Sequence, residues 1–372
     1  MNIEALMEEF HRIASDPSGQ MNRYLSQGEK VILCAPVYTP EEIVHAMGLV
    51  PMGAWGADTE LAESKRFFPG FICSIVQSIV ELGIRGSYEG ASAIIIPSLC
   101  DSLKVLGENW KYAVPSIPMI PMSWPQNRKP QYARDYTLAG YRRVISDLEK
   151  CTGAVFSEEA LADSVRIYNE HNQAMHRLAE LMAGHGEISA GMRSDIFKSA
   201  FFIRKEEHTA LVKELIRQLE NAGTQCGKTR IYISGILCDS PALLEILDEN
   251  GFRIVGDDLA AQSRQYRTDC PAGEHPLKDL AEKFSLMDSC SVLYSEKKER
   301  IGRIVQDAQS CGAQGVLMVQ TQFCDPEEFD YPLIRKACEA AGIPCIQIVT
   351  DRQMKSFEQA RTALETFRDL LS

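Results

Sequence analysis

Three cysteine–aspartate pairs are the part of this sequence best suited to chemistry. In the strings PSLCDSLKVLGE, GILCDSPALLEI and TQFCDPEEFDYP, the residues Cys100, Cys238 and Cys324 each follow a hydrophobic run and precede a helical pattern. In open α/β sheets, ligands bind at the carboxyl ends of the strands, where such residues lie. Thiolates bind iron–sulfur clusters and zinc, and the N–H groups at a helix start help a sulfur to stay deprotonated. The pairs therefore predict a thiolate-lined cleft.

The spacing of the twelve cysteines limits the kinds of metal site that are possible. No C-x-x-C pair and no ferredoxin-type cysteine run occurs, so the ligands of any metal site must come from distant segments. Cys73 begins a helical pattern after the turn-like string FFPGF. It therefore joins Cys100 and Cys324 as a first-ranked candidate ligand.

The other cysteines are weighed against the ordinary role of free cysteine as a small buried hydrophobe. Cys34 and Cys238 occupy strand ends and rank second as cleft residues, while the role of Cys270 is left undecided. Cys338 and Cys345 fall within a helix and a strand and are interpreted as core residues. Four more lie near helix ends or loops without a supporting partner and are interpreted as structural: Cys151, Cys226, Cys290 and Cys311.

The elements that must position these residues fall into two similar halves. Strand-like runs alternate with helical patterns over 29–125 and again over 227–372, whereas 1–28 and 126–226 are helical throughout. This rhythm predicts an α/β fold of two Rossmann-like or flavodoxin-like parallel-sheet lobes, joined by a helical connecting segment. The related Cys-Asp strings suggest that the second lobe repeats the first, and the cleft should lie between the lobes.

Two polar strings at strand ends face the same predicted cleft. TPEEI has the pattern of a helix start, with Thr39 at the N-cap, Pro40 at the first helical position and Glu42 in the first turn. The string GDD (256–258) follows a later strand, and with the nearby Ser263 and Arg264 it could contact a polar ligand.

The histidines give no catalytic pattern. No H-E-x-x-H string and no serine–histidine–aspartate order indicates hydrolysis. Four histidines fall in polar helical stretches and are interpreted as solvated: His11, His171, His176 and His208.

Composition and charge exclude several classes of function. The chain has 372 residues, 45% of them hydrophobic, which is enough for two to three domains with sizeable cores. Its net charge of −12 comes without a lysine/arginine block, so nucleic acid is not an expected partner. No basic leader and no apolar run of about 20 residues occurs, so we expect a cytoplasmic protein whose cysteines are reduced.

Five stretches together resemble the 2-hydroxyacyl-CoA dehydratase and benzoyl-CoA reductase family, and within it the β subunits of the dehydratases. The most specific is the family block F-C-D-P-x-E-x-D-Y-P, which is intact here, although Gln322 replaces a residue that is often lysine in relatives. The stretches are APVYTPEEIVHAMGLVPMGAWG, GFICSIVQSIVE, IPSLCDSLK, GDDLAAQSR and QTQFCDPEEFDYPLIRKACEAAGIPCIQIVTD.

The resemblance implies one [4Fe-4S] cluster held by Cys73, Cys100 and Cys324, with one iron free of protein ligands. It also implies that the cluster relays an electron to an α subunit that binds the acyl-CoA substrate, after a separate ATP-dependent iron–sulfur activator protein injects the first electron. The implied reaction is radical dehydration of (R)-2-hydroxyglutaryl-CoA to glutaconyl-CoA. No G-x-x-x-x-G-K-[ST] loop occurs here, as expected if ATP is used by the activator.

Three residues are candidates for lining the cleft of such a subunit: Glu41, Glu42 and Arg264. Of these, Glu42 is the candidate for a catalytic role. Some members of the family also carry a flavin, FMN or riboflavin, although nothing in this sequence locates one.

Other functions remain compatible with the sequence. The chain could be a benzoyl-CoA-reductase-type or double-cubane-type reductase, or a two-lobed α/β protein that binds a small ligand and has merely buried cysteines. A structural zinc site fits least well, because the three first-ranked cysteines lack an obvious fourth ligand.

Overall fold

Two four-stranded sheets form the framework of the computed structural model, which describes residues 2–223 and 227–372. The elements of the first sheet and its helices alternate along the first third of the chain. They are α1 (Ile3–Ser15), α2 (Pro17–Ser26), β1 (Val31–Cys34), α3 (Glu41–Ala46), β2 (Val50–Gly53), a short 3₁₀ helix (Ser64–Arg66), α4 (Ser74–Ile84), β3 (Ala93–Pro97), α5 (Asp101–Ala113) and β4 (Met119–Met122).

Four helices follow the first sheet: α6 (Gln131–Thr152), α7 (Glu158–Met182), α8 (Ala190–Ser199) and α9 (Lys205–Asn221). Their ends follow local capping rules. Gly153 ends α6 in the left-handed conformation, with φ of 71°. Ser157 and Ser189 cap α7 and α8, since their hydroxyl oxygens accept backbone N–H bonds from Ala160 and Met192.

The second sheet is built from the last third of the chain. Its elements are β5 (Thr229–Gly235), α10 (Pro241–Glu249), β6 (Phe252–Leu259), α11 (Ser263–Tyr266), α12 (Pro276–Leu286), α13 (Glu299–Ser310), β7 (Gly315–Thr321), α14 (Asp325–Ala340), β8 (Cys345–Thr350) and α15 (Glu358–Leu371). None of the described helices is long and apolar enough to span a bilayer.

Both sheets are entirely parallel and share one strand order. The first runs β2-β1-β3-β4 and the second β6-β5-β7-β8. Parallel strands are covered by helices on both faces, which explains why the central strands β3 and β7 are buried at every position and read as continuous apolar runs. The predicted fold class of two parallel-sheet α/β lobes is confirmed, and the shared order agrees with the predicted repetition.

Two local sequence predictions were wrong. Helix α3 begins at Glu41, so Pro40 occupies the N-cap position, while the Thr39 hydroxyl donates back to the Ala35 carbonyl oxygen at 2.6 Å instead of capping the helix. The GDD string lies inside β6 and not after it, because the strand continues to Leu259. Its charges are neutralised by partners that are distant in sequence, which a strand pattern cannot reveal.

The prediction of solvated histidines was also wrong for two of the four. His171 and His208 are completely buried between helices, with His171 Nε2 lying 2.9 Å from His208 Nδ1. His208 Nε2 lies 3.0 Å from the carbonyl oxygen of Ile196, which can only accept, so Nε2 carries the proton and Nδ1 accepts from His171. Burial lowers the pKa of His208 to about 3, so the pair is neutral. His11 and His176 are exposed as predicted.

Contacts cross the predicted domain boundaries. Helix α1 packs on the helical segment, where Leu6 and Phe10 join a core with Met175 and Phe197. Helix α12, although it belongs to the second half by sequence, packs on α6 and α7. The division of the chain into domains at 1–28, 29–125, 126–226 and 227–372 therefore remains a prediction, because these segments pack against one another.

Candidate functional site

Cys73, Cys100 and Cys324 surround one cavity of about 380 Å³ between the two lobes. Segments that follow β1, β3, β5 and β7 all contribute to its lining, so it lies at the carboxyl ends of both sheets. The walls are largely apolar and include Val37, Val76, Leu103, Ile236, Leu293 and Phe323. The fold therefore brings together three thiols that are far apart in sequence.

Each of the three cysteines stands immediately before a helix: Cys73 before α4, Cys100 before α5 and Cys324 before α14. None of these side chains forms a capping hydrogen bond. Three helix N-termini, each with a partial positive charge, consequently meet at the cavity. Backbone N–H groups of the first helical turns lower the pKa of the sulfurs: Ile75 and Val76 act on Cys73, Ser102 and Leu103 on Cys100, and Glu327 on Cys324.

Burial opposes these N–H groups and is the stronger effect. It raises the pKa of Cys73 to about 12 and raises the pKa of Cys100 and Cys324 above the usual range. Cys73 and Cys100 each add to the rise at Cys324, as expected for thiols that face one another. At neutral pH the three thiols are therefore protonated unless a cation shares the cavity, and metal binding would release their protons.

The donor set fits an iron–sulfur cluster better than a single ion. In the described part of the chain, no three His, Cys, Asp or Glu side chains form a group that could hold one metal ion. A cluster makes a different demand, because each thiolate binds its own iron and the sulfurs surround a cavity. Three thiols around an apolar space, with N–H groups directed at them, match that demand.

A tight turn places Cys324 at the cavity. The backbone N–H of Cys324 donates to the Thr321 carbonyl oxygen at 3.0 Å, and Phe323 between them has φ of 61°. This left-handed conformation is uncommon for a bulky residue and occurs where the surrounding structure requires it. Phe323 also lines the cavity, so the turn supplies both a wall and the orientation of the ligand that follows.

A buried ion-pair network lies directly behind Cys324. Glu327, in the first turn of α14, accepts from Arg300 at 2.7 Å, Arg264 at 3.2 Å and the Ser291 hydroxyl at 2.6 Å. Asp258 accepts from the same two arginines, at 2.8 Å each. Burial alone would raise the pKa of both carboxyl groups, but the arginines lower it, so both remain charged. The network fixes the start of α14 and the backbone N–H that faces the cysteine.

The structure therefore places two of the predicted ligand-contacting residues in this network. Arg264 is 3% exposed and Asp258 is 1% exposed, so both are occupied with ion pairs and not with the cavity. Ser263 likewise uses its hydroxyl to donate to the Asp257 carbonyl oxygen. Sequence analysis missed Glu327 and Arg300, and the only available signal was that Glu327 lies within the family block.

The lower-ranked cysteines do not line the cavity. Cys34 is buried at the end of β1, where its sulfur faces the Ile32 carbonyl oxygen. Cys238 is buried beside two smaller cavities, and Cys270 is buried in the core. Cys226 lies outside the described residues. A Cys-Asp pair at a strand end is therefore not sufficient to bring a thiol to this site.

Glu41 and Glu42 line a separate cavity of about 60 Å³ among aromatic side chains. Lys283 donates to Glu42 at 2.6 Å, and Lys205 lies 3.1 Å from Glu41. Burial acts to lower the pKa of Lys283, but Glu42 raises it above the ordinary value, so Lys283 keeps its charge. The predicted catalytic residue Glu42 is thus engaged by a lysine in a cavity distinct from that of the cysteines.

Comparison with known proteins places this site in a family. The family model of the 2-hydroxyglutaryl-CoA dehydratase D-component matches residues 36–371, which include all three cavity cysteines. The chain belongs to this family. The resemblance seen in the sequence is confirmed, and so is the prediction that the chain is a subunit of the dehydratase class of hydro-lyases.

Several curated members of the family match over their full lengths. The chain is 41% identical to the (R)-phenyllactyl-CoA dehydratase β subunit of Clostridium sporogenes, covering 100% of both chains. It is 36% identical to lactoyl-CoA dehydratase subunit β of Anaerotignum propionicum, covering 99% of both chains. It is 34% identical to (R)-2-hydroxyglutaryl-CoA dehydratase subunit β of Acidaminococcus fermentans, again covering 100% of both chains.

Proposed function

We propose that this chain is the iron–sulfur β subunit of a 2-hydroxyacyl-CoA dehydratase. Its role is to hold a [4Fe-4S] cluster on Cys73, Cys100 and Cys324 and to relay an electron to a partner subunit that binds the substrate. The observation that carries this proposal is the convergence of these three thiols, each at a helix N-terminus, on one cavity in a dehydratase-family chain.

The chain's own residues divide the work of holding such a group. The three cysteines supply thiolates, and the N–H groups at their helices stabilise negative charge on the sulfurs. The largely apolar walls surround the group, and the ion pairs of Glu327 hold α14 in place. When bound, a [4Fe-4S] cluster supplies a one-electron couple, and three protein ligands leave one of its four irons without a protein ligand.

The reaction explains the need for electron chemistry. In a 2-hydroxyacyl-CoA, the proton to be removed lies on the carbon beyond the hydroxyl and is hardly acidic. Acid–base catalysis contributes only about 10²–10⁴-fold to a rate, which is too little for such a proton. A transiently added electron makes that proton acidic and is recovered at the end, which is consistent with a subunit built to pass electrons.

Partners and substrate follow from the same proposal. Relatives are named as β subunits of dehydratases, which supports a partner subunit for this chain. We assign substrate binding to that partner and injection of the first electron to an ATP-dependent iron–sulfur activator, as the family resemblance implies. The relatives' named acyl groups range from lactoyl to phenyllactyl. We propose 2-hydroxyacyl-CoA as the substrate class, and (R)-2-hydroxyglutaryl-CoA is the first substrate to assay. FMN or riboflavin remains an expectation without an assigned site.

The decisive experiment measures iron and acid-labile sulfide after anaerobic purification with the partner subunit. The wild-type protein should contain four irons for this chain's cluster, and Cys324→Ala should lose most of them. Cys151→Ala is the matched control, because Cys151 is exposed and does not line the cavity, so the iron content of this variant should equal that of the wild type. A full iron complement in Cys324→Ala would contradict the proposal.

A further inference from the structure

The three cysteines of the site are not positioned in the same way. Cys100 follows β3 after two residues and Cys324 follows β7 after two residues, so the sheets themselves place both sulfurs. Cys73 lies at the end of a long connection from β2 to α4 that contains only the 3₁₀ helix Ser64–Arg66. Such a connection does not by itself fix its last residue. Within the first lobe, Glu81 accepts from the backbone N–H groups of Ala62 and Ser64, and Gln77 donates to the Ile72 carbonyl oxygen, but these bonds do not attach the segment to the second lobe.

Arg352, which follows β8 in the second lobe, attaches to both ends of this connection. Its guanidinium Nη1 donates to Asp58 at 2.9 Å, and its backbone carbonyl oxygen accepts from the Thr59 N–H at 3.0 Å. At the other end, the backbone N–H of Arg352 donates to the hydroxyl oxygen of Ser74, the residue directly after Cys73, at 3.1 Å. Arg352 is only 6% exposed.

The side chain of Arg352 is anchored in its own lobe by Asp239. Two guanidinium nitrogens donate to the two carboxylate oxygens of Asp239, at 2.8 and 3.1 Å, which is a bidentate pair. Burial alone would raise the pKa of Asp239, but the charge of Arg352 lowers it, so the pair is ionised. Asp239 belongs to the Cys-Asp string GILCDSPALLEI, whose cysteine, Cys238, does not line the cavity.

We propose that Arg352 is a positioning residue for the cysteine site, acting with Asp239 to hold the segment that ends at Cys73 against the second lobe. The inference rests on the proposed function in taking Cys73 as a cluster ligand. The string GILCDSPALLEI contributes Asp239 to this link between the lobes, and Asp58 and Ser74 are the first-lobe residues that Arg352 contacts.

Amide hydrogen exchange of the metal-free chain tests the link without reference to activity. Arg352→Gln removes the charge and the bidentate pair, and we expect exchange at residues 74–78 to accelerate about tenfold or more, with residues 102–106 beside Cys100 unchanged. Arg352→Lys keeps the charge but lacks the planar guanidinium group that bridges Asp239 and Asp58. Its exchange rate at residues 74–78 should therefore lie between those of the wild type and Arg352→Gln. Asp58→Asn, at a half-exposed residue, removes one first-lobe partner with little risk to folding.

Iron release from the reconstituted protein gives the second readout. Arg352→Gln should lose iron to a chelator about 10- to 100-fold faster than the wild type, as is typical when a residue that orients a metal ligand is removed. Arg361→Gln is the matched control, because Arg361 forms a surface pair with Glu249 in the same lobe and should change neither readout.

The outcomes separate this inference from the proposed function. Wild-type exchange at residues 74–78 and wild-type iron release in Arg352→Gln would overturn the positioning role. An iron content that is unchanged when the three cysteines are replaced would overturn the proposed function. Faster exchange at residues 74–78 in Arg352→Gln would still show the link between the lobes.

Discussion

Glu327 and Glu328 are adjacent in sequence but have opposite environments. Glu327 is completely buried among Arg264, Arg300 and Ser291, whereas Glu328 is exposed on the same helix. Removing one member of a buried network leaves the remaining charges without compensation in a poorly solvated place. Substituting Glu327 and Glu328 in turn therefore compares a buried and an exposed glutamate at nearly the same place in the helix.

Substitution at these two residues should affect stability very differently. Glu327→Ala should lower the free energy of unfolding by about 3–5 kcal/mol, because the two buried arginines lose one of the carboxylates that neutralise them. Glu328→Ala should change it by less than about 0.5 kcal/mol. Urea unfolding of the metal-free chain, followed by circular dichroism, measures both, and equal midpoints for the two variants would contradict the buried network.

Glu42 gives a second test at the scale of the residue. Glu42→Ala leaves Lys283 buried without its partner, so the variant should lose about 3–5 kcal/mol of stability, and the double variant Glu42→Met/Lys283→Met should recover most of it. Turnover of Glu42→Ala, measured under conditions where it is folded, should fall less than that of Cys324→Ala. A loss of turnover as large as that of Cys324→Ala would instead assign Glu42 a direct catalytic role.

Sequence analysis located the cysteines better than the charges. Cys73, Cys100 and Cys324 were ranked first from their places beside strand and helix patterns, which are local features. The partners of Glu327 were not visible, since Arg264 lies far away in sequence and Arg300 belongs to another helix. Ion pairs of this kind depend on how helices and strands pack together, and the residues next to Glu327 in sequence do not indicate that packing.

At the scale of the element, strands were predicted well and helix surfaces less well. Among the described residues, the central strands β3 and β7 coincide with continuous apolar runs, because a parallel strand covered on both faces is apolar along its length, whereas β6 contains two aspartates and the edge strand β8 is partly exposed. Helix α7 was read as solvated around His171 because its neighbours are polar. A helix packed by other helices on several sides buries such a histidine when a second buried group satisfies it, here His208 on α9.

The buried histidine pair makes stability depend on pH. In the unfolded chain His208 binds a proton with an ordinary pKa of about 6.5, whereas in the folded chain burial lowers its pKa to about 3. Acid therefore favours the unfolded state, and stability should fall as the pH drops below about 6.5, by about 2 kcal/mol from this residue on reaching pH 5.

Urea unfolding of the metal-free chain between pH 7.5 and pH 5 measures this effect. His208→Gln should reduce the slope of stability against pH, since glutamine does not titrate. His176→Ala, at an exposed position of the same helix as His171, should retain the wild-type slope. A wild-type slope in His208→Gln would show that other groups cause the acid sensitivity.

At the scale of the whole molecule, the two lobes repeat a topology, but the core of the first sheet also takes in side chains from the second half of the chain. One hydrophobic core contains side chains of the first sheet together with Phe284 and Leu280 of α12. Phe284 stacks on Trp124, with 3.8 Å between ring centroids. The alternation of strand and helix patterns predicted the two sheets. It could not predict that α12 packs on α6 and α7, because that contact depends on the complementary shapes of the helix surfaces and not on sequence periodicity.

Division of the chain at the predicted boundary tests this shared core. A fragment of residues 227–372 should fail to unfold cooperatively and should bind a hydrophobic dye, because α12 would expose the face that packs on α6 and α7. Co-expression with residues 1–226 should restore a cooperative thermal transition. Cooperative unfolding of the isolated fragment would show that the second lobe is an autonomous domain.

The split origin of the cavity has a consequence for how the protein is made in the cell. Cys73 and Cys100 leave the ribosome long before Cys324, and the last wall of the cavity follows only with the final quarter of the chain. A nascent polypeptide can therefore offer at most two of the three thiols. Insertion of the proposed cluster on all three thiols must therefore wait until translation of the subunit is almost complete.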